Sequence, residues 1–180
     1  MAREKRIDMV ILGLLFHEDL TGYDIKKRID GAISFFWKGS FGNIYPTLKD
    51  MQTQALIKSS DTSVGGREKI IYRITEKGKE ALKRWLKEDQ AVNELRYETL
   101  LKLFFSGADS RENALHNIGI FEDRIKSDLK LLKLYSENLK NDLKSEDHLY
   151  YYLTVTFGID SYETYLKWCN KAKKMLKEVR

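Results

Sequence analysis

Ser40, Asn43, Tyr45, Thr47 and Lys49, followed further along by Arg67 and Lys69, are the residues of this chain best suited to chemistry, and that chemistry is recognition. An asparagine side chain offers a donor and an acceptor that match an adenine edge. Serine, threonine and tyrosine hydroxyls suit backbone phosphates, and lysine suits either. Arg67 and Lys69 follow Gly65-Gly66 and place positive charge beside a tight turn. No bond-breaking set is assembled: the chain has no phosphate-cradling glycine loop, no paired histidine ligands and no glycine-flanked nucleophile. His17, His116 and His148 are scattered, and Cys169, the single cysteine, permits no intrachain disulfide and reads as buried packing. The carboxylates sit at helix-surface positions interleaved with lysine. No enzymatic activity, structural metal or cofactor is expected.

Charge is distributed unevenly. Residues 1–88 carry 17 Lys and Arg against 12 Asp and Glu, whereas residues 89–180 carry 15 against 15, so the net +5 lies entirely in the first half. A basic half joined to a neutral one suggests that the first meets a polyanion and the second does something else. At 42% hydrophobic and 33% charged residues, the chain is too apolar for disorder, and its single proline favours long helices. The apolar run Met9–Phe16 behind Arg3, Lys5 and Arg6 raises the question of a signal peptide. It ends in His17-Glu18-Asp19 with no small-residue cleavage site and is too short to span a bilayer, so a cytoplasmic location is expected.

The elements that must position the recognition set follow from periodicity. Ile7, Val10, Ile11, Leu14 and Leu15 predict a first helix ending near a turn at Glu18–Gly22. A second runs from about Tyr23 to Ile29, with Ile25 and Ile29 inward and Lys26, Lys27 and Arg28 exposed. Ser40 is a good N-cap for a third helix presenting Ile44, Leu48 and Met51 inward. Pro46 leaves two readings open, a start near Tyr45 or a start at Ser40 with a kink. Ile70, Tyr72 and Ile74 then alternate with Lys69, Ile71 and Arg73, predicting two short strands around the glycines with one face buried. Thr75 caps a fourth helix with Ala81, Leu82, Trp85 and Leu86 inward. This order makes a winged helix-turn-helix over residues 1–88. In such a domain the third helix enters the major groove and the basic hairpin reaches the backbone or adjacent minor groove.

Residues 89–180 read as a helical dimerisation domain, making the whole a mostly α fold with an α+β wing. Glu88–Asn93 is the candidate linker, and a short helix is expected around Leu95–Phe105. Asp109 with Glu112 suggests a capping box opening a long helix. Leu115, Ile118, Phe121, Ile125, Leu129, Leu132, Leu139 and Leu143 keep a near-heptad stripe that calls for another long helix against it. The last helix, about Asp147 to Val179, is apolar on nearly every side in its middle and must be buried on more than one face. Its aromatic residues point to dimer packing, while Trp85, Tyr97 and Trp168 are candidates to border an effector cavity between the two modules.

Four segments resemble the PadR family of bacterial transcriptional regulators, in the branch with a longer helical C-terminal domain. They are Ile11-Leu12-Gly13-Leu14-Leu15, Thr21-Gly22-Tyr23-Asp24-Ile25, Gly42-Asn43-Ile44-Tyr45-Pro46-Thr47-Leu48, and Gly66-Arg67 with Tyr72-Arg73-Ile74-Thr75-Glu76-Lys77-Gly78. The resemblance implies a recognition helix that holds Ile44-Tyr45-Pro46, begins near Ser40 and kinks, with Tyr45 touching phosphate. Leu149–Trp168 is similar to the family's closing segment and implies a two-fold homodimer in which the last helix of one subunit packs on the other. Such a dimer reads inverted half-sites in double-stranded DNA spaced by about 10 base pairs or a multiple. The family usually represses, and some members release DNA on binding phenolic acids or other planar molecules, although no motif carries effector residues over. The expected function is a sequence-specific repressor released by a small molecule. The alternative is a winged-helix interaction adaptor without specific DNA recognition.

Overall fold

The structure, a computed structural model, describes residues 7–37, 44–64, 67–89, 97–141, 143 and 145–178. It divides into two compact units, Met1–Val92 and Asn93–Arg180.

In the first unit, helices α1 (Ile7–His17), α2 (Gly22–Asp30) and α3 (Ile44–Thr53) precede a hairpin of β2 (Ile57–Val64) and β3 (Arg67–Ile74), which α4 (Glu76–Leu86) follows. Leu20–Thr21 forms a two-residue strand, β1, that pairs antiparallel with β3, Leu20 opposite Tyr72, giving the sheet order β1-β3-β2. This pairing replaces the turn expected at Glu18–Gly22, since two residues carry no periodicity to mark a strand. The core is the apolar face of each element brought together: Ile11, Leu12, Ile25, Ile29, Leu48 and Met51 are fully buried. Each such side chain contributes about 1.5–3 kcal/mol of burial.

Two inward assignments are corrected. Ile70 is 48% exposed, since the hairpin runs past the helices and alternation buries only Tyr72 and Ile74 near its base. Leu86, in the last turn of α4, is 67% exposed, while Leu82 is buried and Ala81 and Trp85 pack against the core. The start of α3 and the expected Ser40 cap, on which the two readings of Pro46 turn, lie outside the described residues, as do Gly65-Gly66 and most of the expected linker.

α3 ends on a Schellman motif. Leu56 N–H donates to the Met51 carbonyl (2.9 Å) and Ala55 N–H to the Gln52 carbonyl (2.9 Å), with Ala55 in the left-handed region at φ 57°. Buried Met51 and Leu56 make the apolar pair that accompanies this motif. Leu56 also accepts the Thr75 N–H at 3.0 Å, so the end of α3 and the start of α4 are joined through one residue.

The second unit holds α5 (Glu98–Phe104) and two long helices, α6 (Arg111–Lys140) and α7 (Glu146–Glu178), packed on each other. Ser110 caps α6, accepting the Asn113 N–H at 3.1 Å, so the cap lies one residue beyond the expected Asp109 and the Asp109–Glu112 capping box does not form. Asp109 instead takes the Asn113 side-chain amide. The buried stripe of α6 is Ala114, Ile118, Glu122, Ile125, Leu129 and Leu132. It departs from the expected stripe at Leu115, Phe121 and Leu139, which are half-buried, and at Leu143, which is exposed beyond the helix end. Gly158 of α7 sits where an added Cβ would stand 3.2 Å from Leu132, so the helices approach closely there.

Candidate nucleic-acid interface

The first unit brings α2, α3 and the wing together through residues that each do one local job. Thr21 caps α2, accepting the Asp24 N–H at 3.1 Å, while its hydroxyl donates to the Asp24 carboxylate at 2.6 Å. That hydrogen bond, with added charge from Lys69 and Arg28, holds the Asp24 carboxyl below the usual range. Gly22 opens the helix at the point where the Tyr45 ring crosses it, and a Cβ there would lie 2.8 Å from Tyr45 Cε1. Tyr45 is nevertheless 62% exposed. Its ring edge rests on α2 while the rest of the side chain faces solvent. Burial pushes the Tyr72 hydroxyl pKa up, and Tyr45 adds to the shift. Tyr45 thus stands at the meeting point of α2, α3 and β3.

α3 is amphipathic across this point: Ile44, Leu48 and Met51 are buried, Thr47 is half-buried, and Tyr45 and Lys49 are exposed. Gln52 Nε2 donates to Ser59 Oγ at 2.8 Å, tying the helix to the first strand of the wing. Lys69 is exposed on β3, and Arg67 opens that strand with its backbone paired to Val64. Ser40 and Asn43 lie outside the described residues.

Not every cation of the basic half is available to a polyanion. Arg73 Nε donates to both carboxylate oxygens of Asp19 (3.0 and 2.7 Å), and Arg28 pairs with Glu18 at 2.6 Å. The Glu18-Asp19 turn therefore neutralises one arginine from the wing and one from α2. The Asp19 carboxyl is held below its ordinary range, first by the hydrogen bond from Arg73. Charge counting alone cannot find this selection, because the partners of Arg73 are distant in sequence.

Sequence reasoning missed Tyr23, which is 68% exposed on the first turn of α2 beside a shallow depression shared with Lys26, Lys27, Asp30 and Gly31. An aromatic residue at an outward position of an otherwise patterned helix was the available signal. Thr75 caps the fourth helix as expected from the sequence, whereas the packing role of Gly78 beneath it was not visible there. Thr75 caps α4 through the Gly78 N–H (3.1 Å), and its hydroxyl donates toward the Ala55 and Leu56 carbonyls (2.8 and 3.0 Å). A Cβ on Gly78 would lie 2.2 Å from the Leu56 carbonyl oxygen, so only glycine lets α4 dock here. These contacts give Thr75-Glu76-Lys77-Gly78 its physical reason.

Of the three effector candidates, Trp85 packs on the core of the first unit. Tyr97 and Trp168 belong to the second, and both pack edge-on against Phe121, with ring centroids 6.0 and 6.5 Å from it. The Tyr97 hydroxyl donates to that of Tyr165 at 2.5 Å, and burial with this bond pushes the Tyr97 pKa well up. One turn along α7, Glu122 of α6 is 7% exposed and bound by Lys173, with Lys126 at 3.1 Å. Cys169 is fully buried and its thiol is pushed up by burial, as packing requires. Among the described residues no group of histidine, cysteine and carboxylate side chains is placed to hold a metal ion.

Known proteins align with both units. Residues 11–84 match the transcriptional regulator PadR-like family, and residues 95–177 match the virulence activator alpha C-terminal family. The negative transcriptional regulator PadR of Bacillus subtilis is 30% identical over 175 residues, covering 92% of this chain and 94% of the relative. The crystal structure of Bacillus subtilis PadR in complex with operator DNA superposes with a TM-score of 0.82 at 29% identity, over 96% of this chain and 99% of that one. The structure of the same protein with p-coumaric acid gives 0.76 at 27% identity, over 97% and 100%. With its winged helix-turn-helix and its long helical hairpin, this chain belongs to the PadR-like family of transcriptional regulators.

Proposed function

We propose that this protein is a cytoplasmic homodimer that binds an inverted-repeat operator in double-stranded DNA, represses transcription and is released by a planar small molecule. The observation that carries the reading is the division of α3 into a buried edge, Ile44, Leu48 and Met51, and a polar edge with Tyr45 and Lys49 exposed beside the wing. A helix packed in this way leaves its polar edge for a partner, and the partner suited to hydroxyls and ammonium groups is a phosphate-lined groove. Tyr45, Thr47 and Lys49 of α3 and Arg67 and Lys69 of the wing make the contact, with Ser40 and Asn43 completing it. Support comes from the Bacillus subtilis relative, whose structure holds operator DNA.

The second unit supplies the two-fold. Tyr150, Leu153 and Phe157 of α7 share one stripe and are exposed within the single chain, which calls for a second copy. Effector binding draws support from the relative solved with p-coumaric acid and is assigned to the aromatic group that includes Tyr97 and Trp168. No described helix is long and apolar enough to cross a membrane.

Selection from random duplexes tests this directly. An enriched inverted repeat is expected, with affinity falling roughly 10³–10⁵-fold between 50 and 200 mM salt if about 6–10 phosphates are contacted. Weak binding without enrichment would instead identify an adaptor that keeps the scaffold alone.

A further inference from the structure

We propose that Gly22 is a positioning residue for DNA binding: its missing side chain lets the Tyr45 ring lie on the first turn of α2 and fixes where the Tyr45 hydroxyl meets a phosphate. The proposal rests on the reading that Tyr45 contacts DNA. Gly22 is buried at the start of α2, and a Cβ there would stand 2.8 Å from Tyr45 Cε1 and 3.4 Å from Cζ, with Leu48 at an ordinary 3.5 Å. The atoms in the way are therefore the outer ring of an exposed side chain, not backbone. An alanine here is accommodated by moving that ring about 1 Å, enough to take a hydroxyl out of hydrogen-bond range of a fixed acceptor. The helix itself loses nothing, because alanine is a better helix residue than glycine. A fault at Gly22 thus appears in the ligand contact and not in the fold.

The experiment uses the full chain and the inverted repeat obtained by selection, and compares Gly22→Ala, Tyr45→Phe and the double variant. Each single variant removes one hydrogen bond to a charged group at each of the two half-sites and is expected to lose about a hundredfold in affinity. The double variant should lose no more than Tyr45→Phe alone. A tyrosine hydroxyl displaces no counterion, so the slope of log affinity against log salt should stay at its wild-type value in all three; a general disturbance of the helix-turn-helix would flatten it. Thermal midpoints at or above wild type complete the expected result. Normal binding by Gly22→Ala beside weakened Tyr45→Phe overturns the positioning role, as do additive losses or a flattened slope. Normal binding by Tyr45→Phe removes the underlying reading of Tyr45 and this proposal with it.

Discussion

The two units solve the same problem, how to bury apolar side chains, with opposite success. In Met1–Val92, three helices, a sheet and a fourth helix surround a common interior, and the buried cluster runs from Ile7 to Leu82 without leaving the unit. In Asn93–Arg180, two long helices bury one seam, with Ile118 and Cys169 fully enclosed, and leave apolar side chains on their outer faces. Leu153 and Phe157 remain exposed, as do Phe104 and Phe105 at the end of α5. The first unit encloses its own apolar core and leaves a polar surface for a ligand, whereas the second leaves apolar side chains uncovered. The exposed stripe of α7 is what the proposed dimer rests on.

The contrast breaks most sharply at the open stripe. Leu153→Asp with Phe157→Asp should convert a dimer into a folded monomer at micromolar concentrations, measured by sedimentation with helicity unchanged; a persisting dimer would place the two-fold elsewhere. Next in size, Gly78→Ala pushes a methyl group into the Leu56 carbonyl and should cost the first unit about 3 kcal/mol, read as a shift in the denaturant midpoint.

The seam of the second unit depends on Glu122. Removing it as Glu122→Ala leaves the Lys173 ammonium without its partner and should cost about 2 kcal/mol. Its pH signature follows from its direction: Lys173 foremost holds the Glu122 carboxyl below the ordinary 4.5. The stabilisation is complete above that value and is lost as pH falls through the depressed one. Acid titration of wild type and Glu122→Gln should show the smaller loss in the variant. The smallest effect is at Ala55, whose left-handed φ of 57° favours glycine. Ala55→Gly should raise stability by about 0.5–1 kcal/mol, checked by thermal unfolding.

Legibility in the sequence divides along the same line. Where one face is buried against the rest of its own unit, periodicity identifies the inner residues, as for Ile25 and Ile29 or Leu48 and Met51. Leu86 and Ile70 failed because each continues a pattern beyond the point where its neighbours stop. In α6 the pattern placed apolar residues correctly at Ile118, Ile125, Leu129 and Leu132 but passed over Glu122, since a charged residue reads as surface until its partner fifty-one positions away is known. The polar edge of α3 was visible as residue types. That Gly22 supports Tyr45, or that Asp19 withdraws Arg73 from the basic surface, depends on contacts between elements that no local pattern records.

Binding to the selected inverted repeat, compared with the same duplex carrying one scrambled half-site, tests the central claim most directly. A dimer whose two first units each grip one half-site should bind the intact repeat at two chains per duplex and lose about a hundredfold or more when one half is scrambled. Equal affinity for the two duplexes would contradict the account.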